Sequence, residues 1–344
     1  MAFPTILTQG LCMALLVLTL RASSFASASR ELGEMSMLER HERWMAQHGK
    51  AYEDAAEKER RFEIFKSNFE LIQTFNKGNH KFRLGLNRFA DLTNDEFRAT
   101  HNGFRPKSGA AASTAKRFRY ENVTAVPASM DWRAEGAVTP VKDQGQCGCC
   151  WAFSAVAATE GITKLATGKL VSLSEQELVD CDVHGHDQGC DGGLMDSAFH
   201  FIVKNRGLTT EANYPYKGAD GKCNARKAAA AAASISGYED VPKNHESALL
   251  KAVAHQPVSV AIDAGCFAFQ MYKGGVFTGD CGTDLDHGVT AVGYGVASDG
   301  TKYWLIKNSW GSSWGENGYI RMERDVNSKE GLCGIAMEAS YPTA

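Results

Sequence analysis

The sequence predicts an α+β protein, in which a mainly helical part is followed by a mainly β part and preceded by a further helical region. Apolar residues recur at three- and four-residue steps between about Met35 and Asn76, which is typical of amphipathic helices. A long apolar helix is predicted over Trp151–Ala166, whereas short strand-like segments follow the alanine run 228–233. The two periodicities occupy separate stretches of the chain, which favours the α+β class.

The amino-terminal residues have the layout of a cleaved signal peptide. The apolar run Leu11–Leu20 is about half the length that crosses a hydrocarbon core, and the small residues Ala26-Ser27-Ala28 follow it. The alternative is a buried terminal helix. We expect residues 1–28 to be a signal peptide that directs the chain into the secretory pathway, with a vacuole, a lysosome-like compartment or the extracellular space as its destination.

The helical region before residue 126 differs in charge from the rest of the chain. Residues 29–125 contain 18 Lys or Arg and 14 Asp or Glu, whereas residues 126–344 contain 18 and 26. Phe62, Phe65, Phe69 and Ile72 define the apolar stripe of one or two helices. No basic patch with interleaved aromatic residues indicates nucleic acid binding, and no basic amphipathic helix indicates a membrane surface.

A linker and a domain boundary are expected between residues 103 and 126. Gly103–Lys116 is small, polar and contains proline, so it predicts an exposed, cleavable linker. Asn122-Val123-Thr124 is a glycosylation acceptor, which suits a surface position just before a boundary near Ala125.

Beyond Val126, helix signals come before strand signals. Thr167-Gly168 ends the apolar helix, and Ser174 is a plausible N-cap for a second helix, with Glu177 at the capping-box position. The alanine run 228–233 fits a helical turn or a plain loop. The strand-like segments are 258–262, 276–278, 289–293, 303–307 and 319–322.

The ten cysteines favour an oxidising compartment, because reducing compartments seldom use thiols structurally. Removal of Cys12 with the signal peptide leaves nine. At least one thiol must therefore remain unpaired or react with another group.

One set of residues has the features of a nucleophilic site. Cys150 lies at the predicted start of the apolar helix, where unpaired N–H groups and a nearby imidazolium are expected to lower its pKa. His287 opens a strand-like run and is the candidate base, while the amide of Asn308 can orient its ring. Trp310 can shield that contact from water. The candidate oxyanion donors are the Gln144 side chain and the Cys150 backbone N–H.

These residues, taken together, resemble the papain-like cysteine peptidases. Taken singly, the cysteine would be a small core residue and the histidine, asparagine and glutamine ordinary polar residues. Before the boundary, the chain resembles the inhibitory propeptide of the cathepsin L-like branch. The mature part, including the ending Cys333–Pro342, resembles plant senescence-associated members. Two propeptide motifs are matched, by Glu57, Arg61, Phe65, Asn68, Ile72 and Asn76, and by Gly85, Asn87, Phe89 and Asp91.

The resemblance implies a papain-like two-lobe fold, with a helical lobe, a β-barrel-like lobe and an active cleft between them, preceded by a mainly helical inhibitory propeptide. Residues 1–28 would be the signal peptide, 29–125 the propeptide and 126–344 the mature peptidase. The implied reaction is hydrolysis of peptide bonds in polypeptide substrates through a thioester, with no cofactor and no metal. The propeptide would act as an intramolecular inhibitor, and the protein would be a monomer.

The resemblance also implies three disulfides: Cys147 to Cys190, Cys181 to Cys223 and Cys281 to Cys333. Cys149 and Cys266 stand where relatives usually carry other small residues. Cys149 is either a passive small side chain or a competitor that pairs with Cys190 or with Cys150. A zinc site at Cys181, His184, His186 and Cys190 is the alternative interpretation of that loop.

The substrate-binding residues implied by the resemblance are Gly192, Gly193, Leu194, Met195, Ala261, Leu285, Asp286, Trp310 and Glu338. The specificity pocket formed by Leu194, Met195, Ala261, Leu285 and Glu338 is largely apolar, which predicts a preference for a bulky apolar residue before the one preceding the cut. Glu338 would add acceptance of Arg if its carboxylate lay at the pocket floor, and would not if it pointed outward.

Two further expectations concern regulation and activity. A basic propeptide on an acidic enzyme should loosen as carboxylates are protonated, so we expect activation in mildly acidic surroundings. The alternative to an enzyme is a catalytically silent homologue kept as a binding or storage protein.

Overall fold

The computed structural model describes residues 35–106 and 118–344, in two compact units that divide along the chain between Lys66 and Ser67. The predicted signal peptide and residues 107–116 of the predicted linker lie outside the described residues.

The first unit contains the helix Met37–His48 and the first half of the helix Ala55–Asn76, so two helices are confirmed where one or two were predicted. A capping box begins the first helix: the Glu39 backbone N–H donates to Ser36 Oγ at 3.2 Å, and Glu39 Oε2 accepts from the Ser36 backbone N–H at 2.8 Å. His41 and Phe65 are buried, with ring centroids 5.0 Å apart. Aromatic packing therefore holds these two helices together.

The helices of the second unit carry the site described below. The predicted apolar helix is Cys150–Thr167, one residue longer at each end than expected, and Gly168 ends it in the left-handed conformation at φ 76°. The other helices are Asn94–His101, Glu175–Cys181, Met195–Lys204, Ala225–Ala228, Glu246–Val253 and Phe267–Gln270, with short 3₁₀ turns at Gly189–Asp191 and Leu332–Gly334.

The strands within the described residues join into one mainly antiparallel sheet. The strands are β1 Phe82–Leu84, β2 Met130–Asp131, β3 Gly237–Asp240, β4 Val258–Ile262, β5 Tyr272–Phe277, β6 His287–Val296, β7 Lys302–Lys307, β8 Tyr319–Glu323 and β9 Ala339–Thr343. Their order is β1-β5-β8-β7-β6-β4-β9-β3, and β2 pairs with β6. All five predicted strand segments are confirmed: β4 has the predicted bounds, β7 and β8 are each one residue longer than expected, and β5 and β6 are each twice as long.

Ser174 is the N-cap of Glu175–Cys181, as predicted, and its Oγ accepts from the Glu177 backbone N–H at 3.0 Å. The second contact of the predicted capping box, from the Ser174 backbone N–H to the Glu177 carboxylate, does not form, because that N–H donates to the Thr209 carbonyl at 3.0 Å. The Glu177 carboxylate instead accepts from the Thr209 backbone N–H at 2.7 Å and from Asn205 Nδ2 at 2.7 Å. Tertiary partners displace the local contact because they satisfy both oxygens of a buried carboxylate.

The α+β prediction is confirmed, and two apolar clusters make up most of the core. One surrounds the helix Cys150–Thr167, and the other lies on the sheet. The helix packs directly on β4 and β6, because Ser154 Oγ donates to the Val289 carbonyl at 2.7 Å and Ser259 Oγ donates to the Ser154 carbonyl at 3.0 Å. This contact brings the helix start next to the start of β6.

Candidate active site

Cys150 is the first residue of its helix and is fully buried. Its Sγ accepts a hydrogen bond from the Gly288 backbone N–H at 3.3 Å. A Cβ at Gly288 would lie 3.3 Å from the Cys150 carbonyl oxygen and 3.1 Å from Met195 Sδ, so glycine permits this close approach. The thiol thus lies beside the first residues of β6, where His287 is found.

His287 is held by a hydrogen bond on one side and an aromatic ring on the other. Its Nε2 lies 2.8 Å from Asn308 Oδ1, and its ring stacks on Trp310 with centroids 4.5 Å apart. Trp310 is fully buried. Among the described residues, Nδ1 of His287 has no hydrogen-bond partner. The geometry therefore leaves Nδ1 as the ring nitrogen that can exchange a proton with the thiol.

Gln144 is fully buried and fixed through both of its polar ends. Its Oε1 accepts from Ser309 Oγ at 2.6 Å, and its backbone N–H donates to the Ser309 carbonyl at 2.8 Å. Its Nε2 donates to the carbonyls of Cys147 and His101 at 3.0 and 3.1 Å. The side chain thus presents an amide donor to the carbonyl group of a peptide segment.

That peptide is the cleft segment, which we define as residues His101–Arg105. The Asp286 carbonyl accepts from the backbone N–H groups of Gly103 and Phe104 at 3.0 and 2.9 Å. Gly193 donates to the Gly103 carbonyl and accepts from the Arg105 N–H, each at 2.9 Å. A Cβ at Gly103 would clash with the Gly148 carbonyl oxygen. The cleft segment therefore covers the candidate site through backbone hydrogen bonds.

This arrangement corrects the linker prediction at its first residues. Gly103 was expected to begin an exposed linker, but Phe104 is buried and forms a parallel β-bridge with Gly193. Periodicity carries no signal for such a segment, because its contacts are made by the backbone and not by a repeating set of side chains.

The thiol and the imidazole are both neutral in this covered site. Burial raises the pKa of the Cys150 thiol to about 12, although backbone N–H groups of Gly288 and Gly103 act in the opposite direction. Burial also lowers the pKa of His287 to about 4, against the effect of the Asn308 hydrogen bond. The predicted lowering of the thiol pKa is thus absent here, because the cleft segment excludes the water that would stabilise an ion pair.

Cys149 forms part of a hydrogen-bonded chain that leads to Gln144. Its Sγ lies 3.0 Å from Tyr216 Oη, which donates its single hydrogen to the Gln144 carbonyl at 2.7 Å. The thiol must therefore be the donor to Tyr216. Burial raises the pKa of Cys149, which keeps it protonated. Cys149 and Cys150 are both free thiols, so the alternatives in which Cys149 pairs with Cys150 or Cys190 are wrong.

The structure joins the cysteines that the resemblance pairs: Cys147 to Cys190, Cys181 to Cys223 and Cys281 to Cys333. Cys266 is a free thiol. Both cysteines of the zinc alternative are bridged to other cysteines, which removes that interpretation. His186 Nε2 instead lies 2.6 Å from the Arg105 carbonyl.

The predicted pocket residues fall into two groups. Leu194, Met195, Ala261 and Leu285 are buried in the apolar cluster around the Cys150 helix. Glu338 contributes its carbonyl, which accepts from the Ala261 N–H at 3.0 Å, but its carboxylate pairs with Lys243 at 2.9 Å. Gly192 lies beside the Gly103 carbonyl at φ 111°. The Glu338 side chain, which is 39% exposed and paired with Lys243, is therefore in the outward position of the two alternatives.

Sequence reasoning missed Ser309, Tyr216 and the residues that occupy the cleft. Because Ser309 directly follows Asn308, its position beside the site could have been predicted. Its hydrogen bond to Gln144 could not, since Gln144 lies 165 residues away. Tyr216 lies 72 residues from Gln144 in an irregular stretch, and no periodic pattern marks it.

The comparisons with known proteins agree with this geometry. Residues 126–343 match the papain family cysteine protease domain, and residues 41–97 match the cathepsin propeptide inhibitor domain (I29). The senescence-specific cysteine protease SAG39 of Oryza sativa subsp. indica is 67% identical, over 92% of this chain and 94% of its own length. SAG12 of Arabidopsis thaliana, also named a senescence-specific cysteine protease, is 57% identical, over 90% and 91%. A solved recombinant stem bromelain precursor aligns with a TM-score of 0.83 at 49% identity, covering 89% of this chain and 98% of that one.

Proposed function

We infer, because this chain belongs to the papain family of cysteine proteases, that Cys150 is its nucleophile, His287 its base and Asn308 the residue that orients His287. The chain has a papain-like fold with a helical propeptide inhibitor domain, and it is the inactive precursor of a protease. The observation that supports this assignment is the contact of His287 Nε2 with Asn308 Oδ1 at 2.8 Å, next to Gly288, whose backbone N–H donates to Cys150 Sγ at 3.3 Å.

The proposed reaction uses groups whose positions are given above. With the cleft segment gone, water re-enters and Cys150 can transfer its proton to His287 Nδ1. The sulfur then attacks the peptide carbonyl, and Gln144 Nε2 and the Cys150 N–H donate to the resulting oxyanion. His287 gives its proton to the leaving amine, which leaves a thioester. A water molecule deprotonated by His287 hydrolyses the thioester and returns the thiol.

A thiol-directed covalent inhibitor tests this assignment. Matured protein should bind one equivalent at Cys150 with complete loss of peptidase activity, and peptide mapping should find Cys149 and Cys266 unlabelled. The intact precursor should react slowly, because its thiol is buried and protonated. Labelling of Cys150 without any peptidase activity would favour the catalytically silent homologue, and inactivation through Cys266 would contradict the nucleophile.

We propose that mild acid promotes activation by loosening the first unit. Hydrogen bonds from Ser36 lower the pKa of Glu39, a hydrogen bond from Lys58 lowers that of Glu42, and hydrogen bonds from Arg60 and Arg61 lower that of Glu57. A carboxyl with a lowered pKa stabilises the fold above its ordinary pKa of 4.5, and this contribution is lost as the pH falls through the lowered value. These contributions therefore begin to weaken below about pH 4.5 and decrease further as the pH falls.

Asp286, in the cleft, responds with the opposite sign. Burial raises its pKa to about 6, so the covered site favours the protonated carboxyl and gains stability as the pH falls. The acid response is therefore assigned to the first unit and not to the cleft.

Precursor should convert faster at about pH 4 than at about pH 7, and Glu57→Gln should reduce the difference because it removes an acid-sensitive partner of Arg60 and Arg61. Equal conversion rates at the two pH values would contradict the proposal.

We propose a preference for a bulky apolar residue before the one preceding the cut. Leu194, Met195, Ala261 and Leu285 provide an apolar surface, and the Lys243 ion pair keeps the Glu338 carboxylate away from it. A matched peptide pair with Leu or Arg at that position should show faster cleavage of the Leu peptide, and Glu338→Gln should leave the ratio unchanged. Equally poor cleavage of both peptides would overturn the pocket assignment.

The processing and destination of the chain are also proposals. We propose a signal peptide at residues 1–28, a propeptide at 29–125 and a monomeric mature enzyme at 126–344, a division that the two family matches support. The three disulfides and the exposed Asn122 suit the secretory pathway and a vacuole-like or extracellular destination. The names of the two relatives support protein degradation during senescence. Amino-terminal sequencing of the secreted products, and their mobility after glycosidase treatment, test these assignments.

A further inference from the structure

Residues Phe118–Asn122, which we call the anchor segment, contact a surface that belongs to the proposed mature enzyme. The Tyr120 ring stacks on His255 with centroids 4.4 Å apart and an interplanar angle of 18°, and it lies 5.4 Å from the Tyr341 ring. Tyr120 Oη donates to Gln256 Oε1 at 3.1 Å. The tyrosine is therefore held by two rings and by its hydroxyl group.

The neighbours of Tyr120 add polar contacts. The Arg119 backbone N–H donates to Glu239 Oε2 at 3.1 Å, and its guanidinium lies 3.3 Å from Glu239 Oε1. Lys251 Nζ donates to the Glu121 carbonyl at 3.0 Å. We call the receiving surface the anchor site; its residues are Glu239, Lys251, His255, Gln256 and Tyr341.

The anchor site is prepared for its ligand. Tyr341 Oη donates to Glu239 Oε2 at 2.7 Å, which orients the carboxylate that receives Arg119. With the anchor segment bound, the Glu239 side chain is 16% exposed. An oriented carboxylate beside two aromatic rings suits a peptide that presents an arginine followed by a tyrosine.

The anchor site lies at the opposite end of the sheet from the catalytic residues. Gln256 precedes β4, and the far end of β4, at Ile262, pairs with His287. The chain after the anchor segment is held near Tyr294, whose Oη donates to the Pro127 carbonyl at 2.9 Å. Tyr294 lies seven residues along β6 from His287, or roughly 23 Å. The proposed boundary near Ala125 is therefore out of reach of the chain's own Cys150 while the anchor segment is bound.

We propose that the anchor segment is a second lock, separate from the cleft segment, which divides maturation into two cuts. The first cut falls before Phe118 and frees the cleft, but it leaves residues 118–125 bound as an extension of the mature enzyme. The second cut, near Ala125, waits until the anchor segment detaches, because a peptidase needs an extended, unbound stretch of substrate. This inference rests on the proposed function, since both cuts are hydrolyses of the established kind.

Conversion in trans tests the order of the cuts. A precursor carrying Cys150→Ala, which cannot cut itself, is mixed with a trace of active enzyme matured from the unmodified chain, and masses of the intact products are followed with time. We expect a product that begins before Phe118 to accumulate. Tyr120→Ala should speed its disappearance roughly tenfold, through the lost aromatic and hydroxyl contacts, and Arg119→Ala should act in the same direction.

Arg133→Ala is the matched control for that experiment. Arg133 forms a similarly exposed ion pair, with Asp131 at 2.7 Å, outside the anchor site. Its variant should convert like the unmodified precursor. Conversion in a single step without the extended product, or Tyr120→Ala behaving like the control, would overturn the proposal.

Trypsin provides a test that is independent of the chain's own activity. In the Cys150→Ala precursor, the bond after Arg119 should resist trypsin because the segment is bound, and Tyr120→Ala should speed its cleavage roughly tenfold. Equal rates with and without Tyr120→Ala would overturn the anchor. If Tyr120→Ala sped trypsin cleavage while protein matured from the unmodified chain showed no peptidase activity, the anchor would be supported and the proposed function contradicted.

Discussion

The cleft segment and the anchor segment are held in opposite ways. Residues 103–105 are bound through their own backbone N–H and carbonyl groups, whereas Arg119 and Tyr120 are bound largely through a guanidinium, an aromatic ring and a hydroxyl group. Backbone contacts place little demand on side-chain identity, except where a side chain is excluded, as at Gly103. The backbone hydrogen bonds of the cleft segment therefore tolerate many sequences, although its Phe104 side chain is buried and its Asn102 Nδ2 donates to Asp286 Oδ2 at 2.7 Å. The anchor segment depends mainly on its side chains.

The two segments also differ in what they occupy. The cleft segment uses Gln144, Gly193 and Asp286, which are groups that we assign to catalysis or substrate binding. The anchor segment contacts none of them. Substitutions at the cleft should therefore change latency and catalysis together, whereas substitutions at the anchor site should change only maturation.

The largest expected effect is that of Gln144→Ala. We expect kcat of the matured enzyme to fall by about 10²–10³, because the oxyanion loses a buried donor. KM should change little. The matched control is Gln146→Ala, since Gln146 is exposed two residues further along. Equal kcat values for Gln144→Ala and Gln146→Ala would show that Gln144 has no catalytic role. The cleft segment would then not occupy a catalytic group at that position.

Gly103→Ala should break the cleft contact and leave the anchor segment in place. The added Cβ clashes with the Gly148 carbonyl, and overpacking of this kind costs about 1–3 kcal/mol. We therefore expect thiol reagents to label Cys150 in the intact precursor about 10- to 100-fold faster. Gly185→Ala is the control, because a Cβ there meets nothing within 4 Å. Unchanged labelling would mean that side-chain contacts hold the cleft segment.

Substitutions at Cys149 and Tyr216 should affect catalysis through Gln144, because Tyr216 donates to the Gln144 carbonyl and Cys149 donates to Tyr216. A lost hydrogen bond costs about 0.5–1.5 kcal/mol, so Tyr216→Phe and Cys149→Ala should lower kcat up to about tenfold with little change in KM. Cys149→Ser keeps the donor and should restore kcat. If Cys149→Ala matched Cys149→Ser in kcat, Cys149 would be the passive small residue of the simpler interpretation.

The sequence predicts well what depends on local patterns. Helix Cys150–Thr167 and strand Val258–Ile262 were predicted to within one residue, because their apolar runs and flanking glycine are local signals. The second half of the Ser174 capping box failed, because Thr209 and Asn205 compete for Glu177 from elsewhere in the fold.

Contacts between distant residues could not be predicted from local patterns. Tyr120 stacks on a histidine 135 positions away, and nothing in either neighbourhood marks the pair. The prediction that the pKa of the Cys150 thiol is lowered was also wrong for the covered site. That pKa depends on whether a peptide covers the cleft, which no pattern around Cys150 records.

The smallest expected effect concerns the surface charges. The basic propeptide and the acidic remainder predicted that opposite charges hold the two together. Lys81 and Glu323 form such a pair at 3.1 Å, but their side chains are 46% and 28% exposed. Exposed pairs contribute about 0–1 kcal/mol, because water and salt screen the charges.

We therefore expect Lys81→Gln in the Cys150→Ala precursor to lower the free energy of unfolding by no more than about 0.5 kcal/mol, measured by chemical denaturation. Lys77→Gln is the control, since Lys77 is an exposed lysine of the same region. If Lys81→Gln alone lowered the free energy of unfolding by more than about 1 kcal/mol, surface ion pairs would contribute to keeping the enzyme latent. If the two variants differ by less than that, latency depends on the backbone contacts of the cleft segment and the side-chain contacts of the anchor segment.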